Sequence, residues 1–213
     1  TRKVTVDELS RNVFARPSSS IQVTYEDFYY VPSKKIMLKF VSDVSFHRIV
    51  YGDFKKWIAS YGTLGSGKDS FNVPSALAIA VYNTNTGAAR TELFVLDKGN
   101  NRIQVLKINF SFSGTGGSGN TNLEYASTIS LDPLSGAEDI ACVQINGYPY
   151  LIVSMSGQHK ISFYDLSTGS YTYRNSYGVE GSGTGQFSYP ESINATSSIY
   201  TNYNGVIYVL DRG

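Results

Sequence analysis

Two aspartates of the chain are each followed five positions later by an arginine: Asp43 by Arg48, and Asp97 by Arg102. Such a charged pair is a candidate for catalysis, but an Asp at the end of a strand also accepts backbone N–H groups of the next turn and the guanidinium fork of Arg. The pair occurs twice at the same spacing, whereas a catalytic pair is normally present once. We therefore predict a structural role for all four residues.

The two histidines, His47 and His159, each stand directly before a basic residue. Imidazole is a common zinc ligand, but zinc sites take three or four protein ligands and the chain has only these two His and one Cys. We predict exposed turn histidines, which remain candidates for a binding surface. Cys142 lies in an apolar segment and is predicted to be a small buried side chain. The sequence predicts no metal site and no cofactor.

Tyrosine is unusually frequent, with 17 residues. Tyr offers a broad amphipathic contact at low entropic cost, which suits the binding of a glycan or a protein. It is equally a good strand residue whose ring packs between sheets, and both interpretations stay open. The candidates near strand ends or loops are Tyr25, Tyr29, Tyr30, Tyr148, Tyr150, Tyr171, Tyr173, Tyr200 and Tyr203, of which Tyr148, Tyr150, Tyr171 and Tyr173 are the preferred binding residues.

The composition is that of short strands joined by turns. Aromatic residues make up 14% of the 213 residues, charged residues only 16%, and Gly is abundant at 20. The net charge of +1 makes nucleic acid an improbable partner, and no apolar run approaches the roughly 20 residues of a membrane helix. No Ser/His/Asp arrangement, phosphate loop or calcium loop stands out.

The segment Phe71–Ile108 shows most clearly which strands position the candidate residues. Three runs rich in β-forming residues, Ser75–Val81, Thr91–Asp97 and Arg102–Ile108, are separated by Asn- and Gly-containing turns, which is the pattern of a three-stranded antiparallel meander. Four further runs between residues 21 and 61 predict a four-stranded unit. The segment Ser111–Asn122 is rich in Gly and Ser and is predicted to be a flexible linker.

Two markers show that the chain repeats itself. Asp43 and Asp97 are 54 residues apart, and the aligned positions further on are Met155 and Asp211. Independently, the pattern Tyr-Gly-x2-Gly-Ser-Gly-x3-Phe-x2-Pro that ends at Phe71 and Pro74 recurs 116 residues later, about two repeats, and ends at Phe187 and Pro190. Agreement between two markers indicates a repeat architecture.

These motifs resemble the NHL repeats of β-propellers: a Gly-rich turn, Phe-x-x-Pro, an apolar strand that ends in Asp, and then Asn-Arg-Ile. The resemblance implies an all-β propeller of four-stranded antiparallel blades, part of a six-bladed ring. The expected blades are residues 21–63, 66–132, 135–179 and a partial fourth at 181–213. Residues 1–20 are expected to form an N-terminal segment with an edge strand, Thr1–Val6, and a linker, Arg16–Ser20.

With three and a half blades, the propeller is expected to be incomplete, with the remaining blades supplied by the same or another chain. The predicted function is that of a non-catalytic binding or scaffold propeller for a protein or glycan partner, in an extracellular or cell-envelope protein. The alternative is a propeller enzyme, a metal-dependent lyase or hydrolase with its site at the channel mouth. Amidating lyases that resemble the family hold a metal with several His, and the chain has only His47 and His159 for that role.

Overall fold

The computed structural model describes residues 17–27, 34–53, 57–113, 118–196 and 205–213. The edge strand expected at Thr1–Val6 lies outside the described residues, as do Tyr29, Tyr30, Tyr200 and Tyr203. The strands are, in chain order, β1 (Pro17–Asp27), β2 (Lys34–Asp43), β3 (Arg48–Asp53), β4 (Trp57–Tyr61), β5 (Thr63–Leu64), β6 (Ser70–Phe71), β7 (Pro74–Asn83), β8 (Ala89–Asp97), β9 (Arg102–Ser113), β10 (Ser118–Ser130), β11 (Ala137–Ile145), β12 (Tyr148–Met155), β13 (Lys160–Asp165), β14 (Thr172–Tyr177), β15 (Val179–Glu180), β16 (Gln186–Phe187), β17 (Pro190–Thr196) and β18 (Val206–Asp211). Single-turn 3₁₀ helices are formed by Lys98–Asn100, Pro133–Ser135 and Ser156–Gln158.

The strands form successive antiparallel sheets. The first sheet contains β1 to β4, the second β7 to β10 and the third β11 to β14, each with neighbouring strands paired in chain order. In the described residues the fourth sheet contains only β17 and β18. The short strands β5 and β6, and likewise β15 and β16, pair in parallel within the loops that precede the second and fourth sheets. The chain is therefore all-β, as predicted, and the meander at Phe71–Ile108 is confirmed.

Each sheet packs face to face on the next. The first strands lie side by side, β1 against β7, β7 against β11 and β11 against β17. One apolar core lies between the first and second sheets around Phe40 and Leu93. A second core, between the second and third sheets, surrounds Phe94 and Leu151. A third and smaller core, between the third and fourth sheets, includes Ile152. The middle strands β8 and β12 are buried on both faces because they have a sheet on either side.

The prediction of a flexible linker at Ser111–Asn122 is wrong. Strand β9 continues to Ser113 and β10 begins at Ser118, with these two residues opposite each other in a long hairpin. Pairing with β9 gives the Gly- and Ser-rich strand β10 its backbone hydrogen bonds, which a composition argument does not include. Similarly, residues 17–20 are not a linker, since they form the beginning of β1 and pair with β2.

Candidate functional site

The repeated aspartates bind the backbone just before the first strand of their own sheet, a position that we call the sheet entry. Asp97 is fully buried, and its carboxylate accepts a hydrogen bond from the backbone N–H of Asn72 at 2.6 Å. Asp211 does the same in the fourth sheet, accepting from the N–H groups of Ser188 at 2.9 Å and Tyr189 at 2.6 Å. Asn72 and Ser188 are themselves 116 residues apart, so the repeat in sequence is a repeat in hydrogen bonding.

The arginine of the Asp–Arg pair in the second sheet binds the Gly-rich loop that precedes that sheet. Arg102 lies opposite Asp97 in the strand register and donates to its carboxylate at 2.7 Å. Its other guanidinium nitrogens donate to the carbonyl oxygens of Ser66 at 2.6 Å and of Gly67 and Ser70 at 2.8 Å. In the first sheet Arg48 and the buried Asp43 are again opposite each other, 3.3 Å apart. Through these contacts the Asp–Arg pair of the second sheet binds the backbone of the loop that precedes the sheet.

The two histidines connect neighbouring sheets, so the prediction of exposed turn residues is wrong. Both adopt left-handed backbone conformations, with φ of 51° and 53°, and both are partly buried. The Nδ1 of His47 accepts a hydrogen bond from the backbone N–H of Val73 at 3.1 Å, just before the second sheet begins. His159 Nδ1 lies 2.7 Å from the carbonyl oxygen of Ser188, just before the fourth sheet. A turn residue is drawn inward here because the next sheet offers it a backbone partner.

The Phe-x-x-Pro motif positions the first strand of a sheet. Phe71 is fully buried with its ring against Tyr61, and Phe187 packs in the same way on Tyr177. A Cβ on Gly62 would lie 2.5 Å from the Phe71 ring, and one on Gly178 would lie 2.5 Å from the Phe187 ring. The glycines of the motif are therefore required for close packing as well as for their positive φ. Pro74 and Pro190 begin β7 and β17, opposite Asp97 and Asp211 respectively, and a bulge follows each Pro.

The four preferred tyrosines lie in the third sheet and the loop before its last strand, in three different environments. Tyr148 and Tyr173 are more than half exposed, as a binding surface requires. Tyr150 is partly buried, and its ring contacts Phe163 edge to face at 6.5 Å. Tyr171 is buried, which contradicts the surface role predicted for it. The backbone of Tyr25 lies in β1.

An apolar cleft of about 970 Å³ lies between the third and fourth sheets, and we call it the open cleft. The third sheet lines it with Tyr150, Ile161 and Phe163, and the fourth with Ile207 and Val209. Ile207 and Val209 alternate with the exposed Tyr208 and Leu210 along β18. The cleft continues the third core outward, to the place where the other sheets have their third and fourth strands.

A second cavity, of about 600 Å³, contains Arg90 and Glu92, which the sequence analysis did not single out, together with Tyr171. Glu92 is 3% exposed and accepts hydrogen bonds from the hydroxyl groups of Tyr82 at 2.6 Å and Tyr171 at 2.8 Å. The Arg90 guanidinium donates to Glu92 and to the Tyr171 hydroxyl, both at 3.1 Å. We call this cavity the polar cavity. The signal that was available is the repeat alignment, which places Glu92 where the other sheets have Leu38, Tyr150 and Val206.

Burial is the main cause of the pKa changes of the two tyrosines bonded to Glu92 and of Cys142. Burial, together with the hydrogen bonds to Glu92 and its charge, raises the pKa of the Tyr82 and Tyr171 hydroxyls, so both remain protonated donors. Burial lowers the pKa of Arg90, but the charge of Glu92, its hydrogen bond and the nearby Tyr171 and Tyr82 hydroxyls together outweigh burial, and the pKa is raised. Burial also raises the pKa of the Cys142 thiol, which packs against the second core as a small apolar side chain.

Within the described ranges, no group of three or more His, Cys, Asp and Glu side chains is arranged to hold a metal ion. In the same ranges, no helix is long and apolar enough to cross a bilayer. Comparison with protein-family models and with curated proteins gave no match. The resemblance to NHL repeats therefore rests on the sequence motifs alone.

Proposed function

We propose that the chain is a non-catalytic scaffold of the propeller type, and that it binds a partner protein by accepting a β-strand of that partner along β18. Three observations support the propeller arrangement. Successive sheets stack face to face, their first strands lie side by side, and at the sheet entries the same Asp contact recurs beside a contact from a His of the preceding sheet. In this proposal the motif residues maintain the scaffold, and recognition belongs to the fourth sheet.

The observation that carries the proposal is the exposure of β18. Its residues Tyr208 and Leu210 are 59% and 61% exposed, whereas Phe94 and Leu96, at the aligned positions of β8, are fully buried. In the described part of the chain, β18 has β17 as its one strand neighbour. A free edge with apolar side chains on both faces is the site at which proteins add a strand.

The second sheet shows what the added strand must contain. Strand β9 pairs with β8 so that Arg102 lies opposite Asp97, and its Leu106 points into the first core. A strand in the same register on β18 would place a basic residue opposite Asp211 and an apolar residue in the open cleft. The partner strand we propose is therefore extended, with a basic residue followed by alternating apolar residues.

A peptide with the sequence of β9, residues 102–113, is a direct probe of this site. We expect it to bind to the 213-residue protein in a fluorescence anisotropy titration. Hydrogen exchange should then show new protection of the β18 amides at residues 206–211, because the peptide would pair with them. The proposal is overturned if the peptide does not bind, or if the protected amides lie elsewhere.

Matched variants of the peptide and of the protein identify which face of β18 the peptide contacts. A peptide with Leu106→Asp should lose binding, because the charge would enter an apolar cleft. Replacement of the adjacent residue in a Lys107→Glu peptide should have a small effect, because that side chain faces away from the cleft. On the protein, Ile207→Ala should weaken binding more than Leu210→Ala, whose side chain lies on the opposite face.

The glycan alternative and the extracellular or cell-envelope location remain proposals of the same kind. The exposed Tyr148 and Tyr173 support a glycan surface. A glycan array with the wild-type protein and a Tyr148→Ala/Tyr173→Ala double variant tests that role, and equal signals from both proteins would exclude it. The low content of charged residues, 16%, supports the location. The enzyme alternative has less support, because His47 and His159 are each bound to a neighbouring sheet entry.

A further inference from the structure

The polar cavity lies between the second and third sheets, away from β18 and the open cleft. The second sheet contributes Arg90, Glu92 and Lys107 to its lining, and the loop between β13 and β14 contributes Gly169 and Tyr171. Its volume of about 600 Å³ is within the range of cavities that hold small molecules.

The charged residues of this cavity depart from the repeat. In the strand register Glu92 lies opposite Lys107, whereas the aligned pairs are Leu38 with Asp53 in the first sheet and Tyr150 with Asp165 in the third. A buried carboxylate costs stability unless it is well bonded, and a repeat scaffold tolerates an apolar residue at this position. Local departures of this kind are typical of functional sites.

The hydrogen bonds of the cavity leave cationic donors available. Arg90 uses one guanidinium nitrogen, NH1, for both Glu92 and Tyr171. Its Nε and other terminal nitrogen have no hydrogen-bond partner in the described residues. Gly169 lets that terminal nitrogen approach, since a Cβ there would lie 2.7 Å from it. The ammonium group of Lys107, on the neighbouring strand, has no ion-pair or hydrogen-bond partner among the described residues.

These groups select the chemistry of a ligand. Arg90, Lys107 and Glu92 leave the lining with one net positive charge, which matches a single carboxylate. A guanidinium fork binds carboxylate oxygens in a planar, paired geometry. The hydroxyl groups of Thr91, Ser127 and Tyr171, which also line the cavity, are suited to hydrogen-bond the hydroxyl groups of a ligand.

We propose that the polar cavity binds a sugar acid, with the carboxylate of the ligand held by Arg90 and Lys107 and its hydroxyl groups held by the polar lining. Glu92 has a positioning role, because its bonds to Arg90, Tyr82 and Tyr171 keep the donors of the cavity in place. This site is independent of strand addition at β18, so either proposal can fail without the other.

The test is an NMR titration of the labelled protein with glucuronate, with glucose and inorganic phosphate as comparison ligands. We expect saturable shifts for the amides of residues 90–92, 107 and 169–171 with glucuronate, and at least about tenfold weaker binding of glucose and phosphate, since each lacks one half of the recognised chemistry. No saturable shifts with glucuronate, or equal binding of glucose or phosphate, would overturn the proposal.

Variants distinguish the site from general charge attraction. Lys107→Gln should weaken glucuronate binding by about tenfold, the effect of one charge-assisted hydrogen bond. Lys68→Gln removes an exposed lysine outside the cavity and should leave binding unchanged. Because Lys107 is exposed, its replacement should preserve the amide spectrum of the fold. Equal binding by the wild-type protein and Lys107→Gln, or equal losses for both variants, would contradict the assignment.

Discussion

Strands β8 and β18 carry aligned residues in the second and fourth sheets, but they differ in how completely they are covered. Between the second and third sheets, Phe94 and Leu96 of β8 are fully buried. At the aligned positions of β18, Tyr208 and Leu210 are exposed, although the strand carries a similar apolar sequence. The comparison shows that the sequence of a strand in a repeat protein sets its suitability for burial, and the neighbouring sheet decides whether burial occurs.

Strand β18 is not buried on both faces, unlike β8 and β12. Ile207 and Val209 are partly buried against the third sheet, and the side chains between them are exposed. The first sheet is intermediate, because Met37 and Lys39 of β2 are also only partly buried. If this comparison is right, matched substitutions in covered and exposed strands should have very different effects.

The largest difference is expected for a charge introduced into each strand. Ile152→Asp should unfold the third sheet, because Ile152 is fully buried between two sheets and an unpaired buried charge costs several kcal/mol. Leu210→Asp should change the free energy of unfolding by less than about 0.5 kcal/mol, because the new side chain lies in water. Urea denaturation followed by circular dichroism measures both. Similar midpoints for the two variants would disprove the comparison.

A smaller difference is expected for truncation at the aligned aromatic position. Phe94→Ala should destabilise the protein by about 3–5 kcal/mol, since it leaves a cavity in the second core. Tyr208→Ala, at the aligned position of β18, should cost less than about 1 kcal/mol, because that side chain is already exposed. Differential scanning calorimetry gives both values. If a partner strand covers β18, the cost of Tyr208→Ala should increase in the complex.

The smallest effect concerns a charged pair at the outer edge of the third sheet. Burial alone would raise the pKa of Asp165, but hydrogen bonds from Ser167 and Arg174 outweigh it and lower the pKa. The stabilisation from this group is therefore present above the ordinary Asp pKa of about 4 and is lost as the pH falls through the lowered value. Relative to wild type, Asp165→Asn should melt a few degrees lower, by roughly 2–4 °C, at neutral pH, and the gap should close at low pH. A gap that stays constant down to pH 2 would contradict this assignment.

Much of the fold was predictable, because the motifs describe local contacts. An Asp at a strand end with a basic residue five positions on, and a Gly–Phe–Pro entry, each place their partners within one repeat, so spacing alone indicated where sheets begin and end. The errors about the candidate site residues concern side chains whose partners lie in another sheet. His47 bonds to the entry of the second sheet, and Tyr171 is buried against Glu92, so neither has the exposed surface role that its local sequence suggested.

By itself, the sequence determined the all-β class and the antiparallel sheets, because strand periodicity, turn residues and repeat spacing are properties of neighbouring residues. Only the tertiary structure decided which apolar faces are covered and where polar groups converge. Arg90 and Glu92 of the second sheet are about 80 residues from Tyr171, which lies in a loop of the third sheet, and their cavity exists because those sheets stack. Burial and convergence of this kind depend on packing between repeats, which no single repeat contains.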